Sequence, residues 1–292
     1  MSLNQANFAP HFREGGPIIL DAAGQNKVDI ALMRLHEFEP EEGYYLAMSG
    51  GKDSQVCYDL AERSGVKFQA YYNLALDPPQ LIQFLRRQYP TVIFQRAPDF
   101  NFYRSLEEKG FPTRKARWCC EYMKEYGGGG RVVITGVRWQ ESTRRKARRM
   151  VDRGGQGRVM TVMRKAEKPK VCVNPIIDWT TKEVWEYLKG RGLPYCELYD
   201  VGSSGPYKGN GHFKRLGCVL CPMESRKQTL YELEYFPKQA EALHRAFVRL
   251  YERRKASGAE SIERWPTAEA MWLWWLSREN QGPADSRCMA FW

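Results

Sequence analysis

No stretch of this chain stays apolar over the ~20 residues that a helix needs to cross a bilayer, so no membrane partner is expected. Met1 to Gly16 is polar, is broken by Pro10 and the Gly15-Gly16 pair, and offers no apolar leader, so a cytoplasmic protein is expected. Acidic residues are in deficit: 34 Asp and Glu face 45 Lys and Arg, a net charge of +11 that points to an anionic partner, nucleotide or nucleic acid. No internal repeat is present, and no Gly-x-x-x-x-Gly-Lys-Ser/Thr spacing of the Walker type occurs. Disulfides are not expected in such a compartment, so the eight cysteines are read as metal or redox ligands according to their placement.

What is present begins at Tyr44-Tyr45-Leu46-Ala47-Met48, a short apolar run that reads as a buried parallel strand. It stops at Ser49-Gly50-Gly51-Lys52-Asp53-Ser54, and Val56, Cys57, Leu60 and Ala61 then recur at helical spacing. Strand, glycine turn and helix start make an anion site, because backbone N–H groups converge there and the helix dipole favours negative charge. Lys52 is expected at an exposed helix start, where it compensates phosphate charge and contributes little packing.

Strand and helix signals alternate from there. Val66 to Tyr72, Thr91 to Gln95, Arg131 to Gly136 and Val171 to Ile176 read as strands; Pro79 to Tyr89, Phe102 to Lys109 and a segment opening at Cys119 read as helices. Thr180 with Glu183 forms a capping-box pattern, and Asn26 is a fitting N-cap for a helix reaching His36. The alternation predicts an α/β fold, a doubly wound and mostly parallel sheet with ligands at the carboxyl ends of its strands. The organisation expected is an N-terminal extension over 1–43, a nucleotide-binding domain over 44–228 and a C-terminal helical region over 229–292. In that last region Thr229 to Lys255 and Pro266 to Arg278 read as helices, with Trp272, Trp274 and Trp275 as packing residues.

Two further features carry chemistry. Cys119-Cys120 is a tandem pair and Cys218-Val219-Leu220-Cys221 a CxxC, whereas Cys57, Cys172, Cys196 and Cys288 stand alone. Four thiolates suit an iron–sulfur cluster or a zinc ion, and adjacent cysteines bridge separate irons more comfortably than they share one tetrahedral ion. Arg144, Arg145, Lys146, Arg148 and Arg149 follow one another closely, either as a solvated basic helix face or as a track for a polyanion.

On these residues the chain resembles the phosphoadenylyl-sulfate (PAPS) reductase family, Rossmann-like PP-loop proteins of the adenine-nucleotide α-hydrolase type. The marks are Ser49–Ser54, which matches the SGGKDS loop of PP-loop ATP pyrophosphatases, Trp118-Cys119-Cys120, Gly136-Val137-Arg138 with Glu141-Ser142, Asn174 to Thr180, and Gly217 to Pro222. The resemblance runs from about Tyr44 to Met223 and implies adenine-nucleotide binding by Ser49, Gly50, Gly51, Lys52, Asp53, Ser54, Gly136, Arg138, Ser142 and Arg145. It implies that Lys52, Asp53, Arg138 and Glu141 carry the chemistry, Asp53 by holding Mg²⁺ and Arg138 with Glu141 by positioning the adenylate. It also implies a [4Fe–4S] cluster on Cys119, Cys120, Cys218 and Cys221, with Zn²⁺ as the alternative.

Relatives that reduce a ready-made adenylyl sulfate generally lack the Lys-Asp of the loop and carry a catalytic cysteine in a Glu-Cys-Gly-Leu-His type tail. This chain keeps Lys52 and Asp53 and ends Ser286-Arg287-Cys288-Met289-Ala290-Phe291-Trp292. The expectation is therefore an ATP pyrophosphatase that adenylates a target for sulfur transfer, with nucleic acid as acceptor and a cysteine desulfurase as a fitting sulfur donor. The alternative is a reductase of adenylyl sulfate or PAPS with Cys288 as nucleophile and thioredoxin as reductant, and a third reading is a non-catalytic nucleotide-binding partner in a complex.

Overall fold

The computed structural model describes residues 16–143, 145–153, 168–202 and 211–277. Arg144 and Cys288 lie outside the described residues. Six strands form one sheet: β1 (Tyr44–Ala47), β2 (Phe68–Asn73), β3 (Ile93–Gln95), β4 (Val132–Ile134), β5 (Val151–Arg153) and β6 (Val171–Val173). Their order is β3-β2-β1-β4-β6-β5, and every neighbouring pair is parallel except β5 with β6. From β1 the chain winds outward through β2 and β3, then returns to place β4 on the other side. The crevice beyond the carboxyl ends of β1 and β4 is thus the switch point, where a doubly wound sheet takes its ligand.

The helices follow the apolar periodicity. They are α1 (Lys27–Glu37), α2 (Lys52–Ser64), α3 (Pro79–Gln88), α4 (Phe102–Lys109), α5 (Trp118–Met123), α6 (Thr181–Gly190), α7 (Arg226–Tyr235), α8 (Pro237–Ala256) and α9 (Ala268–Ser277). Asn26 caps α1 by accepting from the Val28 N–H, and Thr180 with Glu183 closes the capping box of α6. The expected helix from Thr229 is two helices, because Pro237 has no N–H to continue α7 and instead opens α8.

β1 alternates between two layers, as its period of two requires. Tyr44 and Leu46 enter the main core with α1, α2, α8 and α9, while Tyr45 and Ala47 meet Val133 and Cys172 on the other face. Trp272 and Trp275 are buried in the main core, as their packing role predicts, and Trp274 packs against Phe111 and Trp265.

The basic stretch is not a helix face. Arg145–Ala147 makes a single 3₁₀ turn, and Val151–Arg153 is an edge strand antiparallel to β6. Arg145 is buried and Arg148 pairs with Asp152 at 3.1 Å, whereas Lys146 and Arg149 are exposed.

Candidate functional site

Residues 49–54 close the carboxyl end of β1 and start α2. Gly50 takes φ +75°, and a side chain there would strike Leu81 and Leu85 of α3 at 2.8–2.9 Å, so this position needs glycine on both counts. Gly136, after β4, lets that loop approach the backbone of Asp53 to 3.0 Å of where its Cβ would lie. Together these glycines bring the two loops of the switch point into one cleft. Ser49, Gly51, Lys52, Asp53, Ser54, Gly136 and Glu141 line it, joined by Lys124, Arg145, Tyr199 and Arg215.

Three loop amides are already engaged. Ser49 N–H donates to Ser54 Oγ at 3.2 Å, Gly51 N–H to Ser49 Oγ at 3.3 Å and Lys52 N–H to the Tyr199 hydroxyl at 3.1 Å. Hydroxyl groups thus hold the donors that an anion would use.

Lys52 is buried, at 3% exposure, which corrects the expectation of an exposed side chain with little packing. Its ammonium lies 3.2 Å from Asp53 Oδ2 and 5.7 Å from the Tyr199 ring centroid. Burial lowers its pKa, with Asp53 opposing. Asp53 meets Arg138 Nε at 2.6 Å through its other oxygen. Burial alone would raise the Asp53 carboxyl, but the charges of Lys52 and Arg138 outweigh it and hold it at about 2.

Arg138 is 2% exposed and lies behind the residues that line the cleft. Its guanidinium donates to Asp53, to the Trp179 carbonyl at 3.1 Å and to Thr181 Oγ1 at 3.3 Å. The Asn174–Thr180 motif thereby supports Arg138, and Arg138 supports Asp53. Glu141 reaches the cleft but accepts from the Arg138 N–H at 3.0 Å, pairs with Arg145 and meets Arg215 Nη2 at 3.2 Å. Burial, then the neighbouring Arg215 charge, depress the pKa of Arg145, the mark of a cation-rich pocket that favours an anion.

Cys119, Cys120, Cys218 and Cys221 line one adjoining cavity of about 300 Å³. Ser142, assigned from sequence to the nucleotide, lies on this cavity instead of the loop cleft. Arg117 Nη2 lies 3.2 Å from Cys120 Sγ. A hydrogen bond from Cys119, opposed by burial and helped by Arg117, pulls the Cys120 thiol down to about 5. Burial pushes Cys221 up to about 11 and raises Cys218 as well. Lys124 is raised: burial works against its charge, but the neighbouring Cys218 and Asp77 outweigh that.

The donor set is four thiols with Arg117 and Lys124 beside them, which fits a group carrying negative charge on thiolate ligands. Among the described residues no group of three or more His, Cys, Asp or Glu side chains is arranged to hold a metal ion.

Lys124, Arg145, Arg215 and Leu216 line both the loop cleft and the cysteine cavity. Sequence reading missed Lys124, Tyr199 and Arg215. Only the position of Lys124, one helical turn beyond Cys120, carried a local signal. No helix among the described residues is long and apolar enough to cross a membrane.

Residues 43–224 match the sequence profile of the phosphoadenosine phosphosulfate reductase domain. An uncharacterized protein of Methanocaldococcus jannaschii is 29% identical over 213 residues, which are 66% of this chain and 44% of that protein's length. Adenosine 5'-phosphosulfate reductase 2 of Bacillus subtilis is 27% identical over 61% of this chain and 72% of its own. Among solved structures, a phosphoadenylyl-sulfate reductase from Candida auris in a phosphate complex aligns with 63% of this chain and 94% of its own, at 18% identity and a TM-score of 0.39.

Proposed function

Because the chain belongs to the phosphoadenosine phosphosulfate reductase family, we propose that it binds an adenylyl sulfonucleotide in the loop cleft and reduces it. The observation that carries this reading is the shared wall of Lys124, Arg145 and Arg215 between the anion cleft and the cysteine cavity. A sulfonucleotide needs cations along its phosphate and sulfate, and guanidinium groups match both oxyanions. The relatives in Bacillus subtilis and Oceanobacillus iheyensis are named adenosine 5'-phosphosulfate reductases, which agrees with the reading.

In this scheme a thiolate attacks the sulfate sulfur, the bond from sulfur to the phosphate oxygen breaks, and AMP leaves. The product is an S-sulfocysteine, which a dithiol reductant resolves to sulfite while becoming a disulfide. Cys288, outside the described residues, is the thiol assigned to the attack. Lys124, Arg145 and Arg215 stabilise charge on the leaving phosphate, an electrostatic role. Cys119, Cys120, Cys218 and Cys221 would hold a [4Fe–4S] cluster, which when bound supplies a charged, one-electron-active centre beside the cleft.

One observation favours a second reading. Lys52 and Asp53 are retained at the head of the cleft, where the resemblance assigns them to splitting ATP between its α and β phosphates with Mg²⁺. Sulfur transfer to nucleic acid belongs to that reading, with Lys146 and Arg149 as the exposed cations of the basic stretch.

The products separate the two. Anaerobic protein given adenosine 5'-phosphosulfate and reduced thioredoxin should yield AMP and sulfite. AMP and pyrophosphate from ATP with Mg²⁺, and no sulfite from the sulfonucleotide, would establish the second reading in place of the first.

A further inference from the structure

The CxxC turn carries an unusual backbone. Leu220, between Cys218 and Cys221, has φ +57°, a left-handed conformation that a branched side chain seldom adopts, and it is 1% exposed. Its N–H donates to Glu232 Oε2 at 2.5 Å. Glu232 lies on α7, is 6% exposed, and takes a second hydrogen bond from Gln228 Nε2 at 3.3 Å. A carboxylate buried this deeply is costly unless its hydrogen bonds are needed.

The rest of the turn is fixed from other elements. Val219 N–H donates to the Leu76 carbonyl at 2.8 Å, and Arg114 donates to the Pro222 and Glu224 carbonyls at 3.1 and 3.0 Å. The two helices after α7 also reach the site. Leu243 of α8 and Trp275 of α9 line the cysteine cavity, and Trp275 Nε1 donates to the Pro112 carbonyl at 2.7 Å. All three helices lie beyond the 43–224 match.

The geometry points to α7–α9 as a working part of the cysteine site, with Glu232 as the positioning residue that holds the Cys218–Cys221 turn in the shape its thiols need to bind a cluster. This rests on the reading of the four cysteines as ligands. Glu232 acts through the Leu220 amide.

The test compares wild type with Glu232→Leu and Glu232→Gln after anaerobic reconstitution with iron and sulfide. It reads iron per chain, visible absorbance, helical circular dichroism and hydrogen exchange at the Leu220 amide. Glu232→Leu is expected to keep its helical signal, lose more than half of the iron, and exchange the Leu220 amide at least tenfold faster, about the worth of one charge-assisted hydrogen bond. Glu232→Gln, which keeps an acceptor without the charge, should restore iron loading yet leave exchange at Leu220 several-fold faster. Equal iron and unchanged exchange in Glu232→Leu would overturn the inference. If Glu232→Leu does not fold, the exchange rate in Glu232→Gln decides: acceleration supports the positioning role and an unchanged rate overturns it. Wild type that takes up no iron would overturn the cluster reading itself, and the Leu220 exchange rates would then judge the turn-holding role on their own.

Discussion

Arg138 Nε lies 2.6 Å from Asp53 Oδ1, which binds the loop after β4 to the first turn of α2 across the mouth of the switch point. The remaining Asp53 oxygen faces Lys52 at 3.2 Å, so two cations share one carboxylate. The pairs are partly to deeply buried, and their worth lies in fixing Lys52 and the glycine loop relative to the cleft.

Removing Arg138 would leave that carboxylate with one partner in a poorly solvated place. Arg138→Ala should destabilise the fold by about 3 kcal/mol, the usual cost of breaking a buried pair from one side. Urea unfolding measures it. Arg138→Lys should recover only part, because a single ammonium cannot reach Asp53, the Trp179 carbonyl and Thr181 together. A loss below about 1 kcal/mol for Arg138→Ala, the scale of an exposed pair, would show that the contact is incidental.

Lys52 separates packing from charge. Lys52→Met keeps most of the buried stem and removes an ammonium that burial disfavours, which offsets the lost pair with Asp53, so the melting temperature should move less than in Arg138→Ala. Affinity for adenosine 5'-phosphosulfate should fall by about tenfold or more, the worth of one hydrogen bond to a charged group. Titration calorimetry reads the affinity, and an unchanged value would remove Lys52 from the anion site.

Asp53 sets the acid limit of the site. Its carboxyl is held at about 2 when folded, below its usual range, so the unfolded chain binds that proton more readily than the folded chain does. The stabilisation is therefore complete above about pH 4 and is lost as pH falls toward 2, amounting to about 2 kcal/mol. Stability measured from pH 6 to pH 2 in wild type and Asp53→Asn should diverge at the high end and converge at the low end. Parallel curves would contradict the assignment.

How much of this was legible in the chain depends on the range of the interaction. The strand before Ser49, the Asn26 cap and the Thr180–Glu183 capping box are local, and they stand where the residues placed them. Lys52 was read as exposed because its burial is imposed by Tyr199 and the backbone of Lys214, which are distant in sequence. Arg138 shares a motif with Glu141, yet only the fold turns its guanidinium inward to Asp53 and Trp179. β5 was hidden because three residues inside a basic run form a strand only when β6 offers its edge. Glu232 had no sequence mark at all, since its contact with the left-handed Leu220 amide is made only in the fold.

Attack of a thiol of this chain on a sulfonucleotide, as proposed, is tested directly by intact-protein and peptide mass spectrometry. Anaerobic protein is mixed with adenosine 5'-phosphosulfate without any reductant, quenched in acid and digested. One added SO₃ group is expected on the peptide carrying Cys288, released as sulfite when reduced thioredoxin is supplied, with no adduct in Cys288→Ser. A chain that gains no such mass, while it converts ATP to AMP and pyrophosphate, would contradict it.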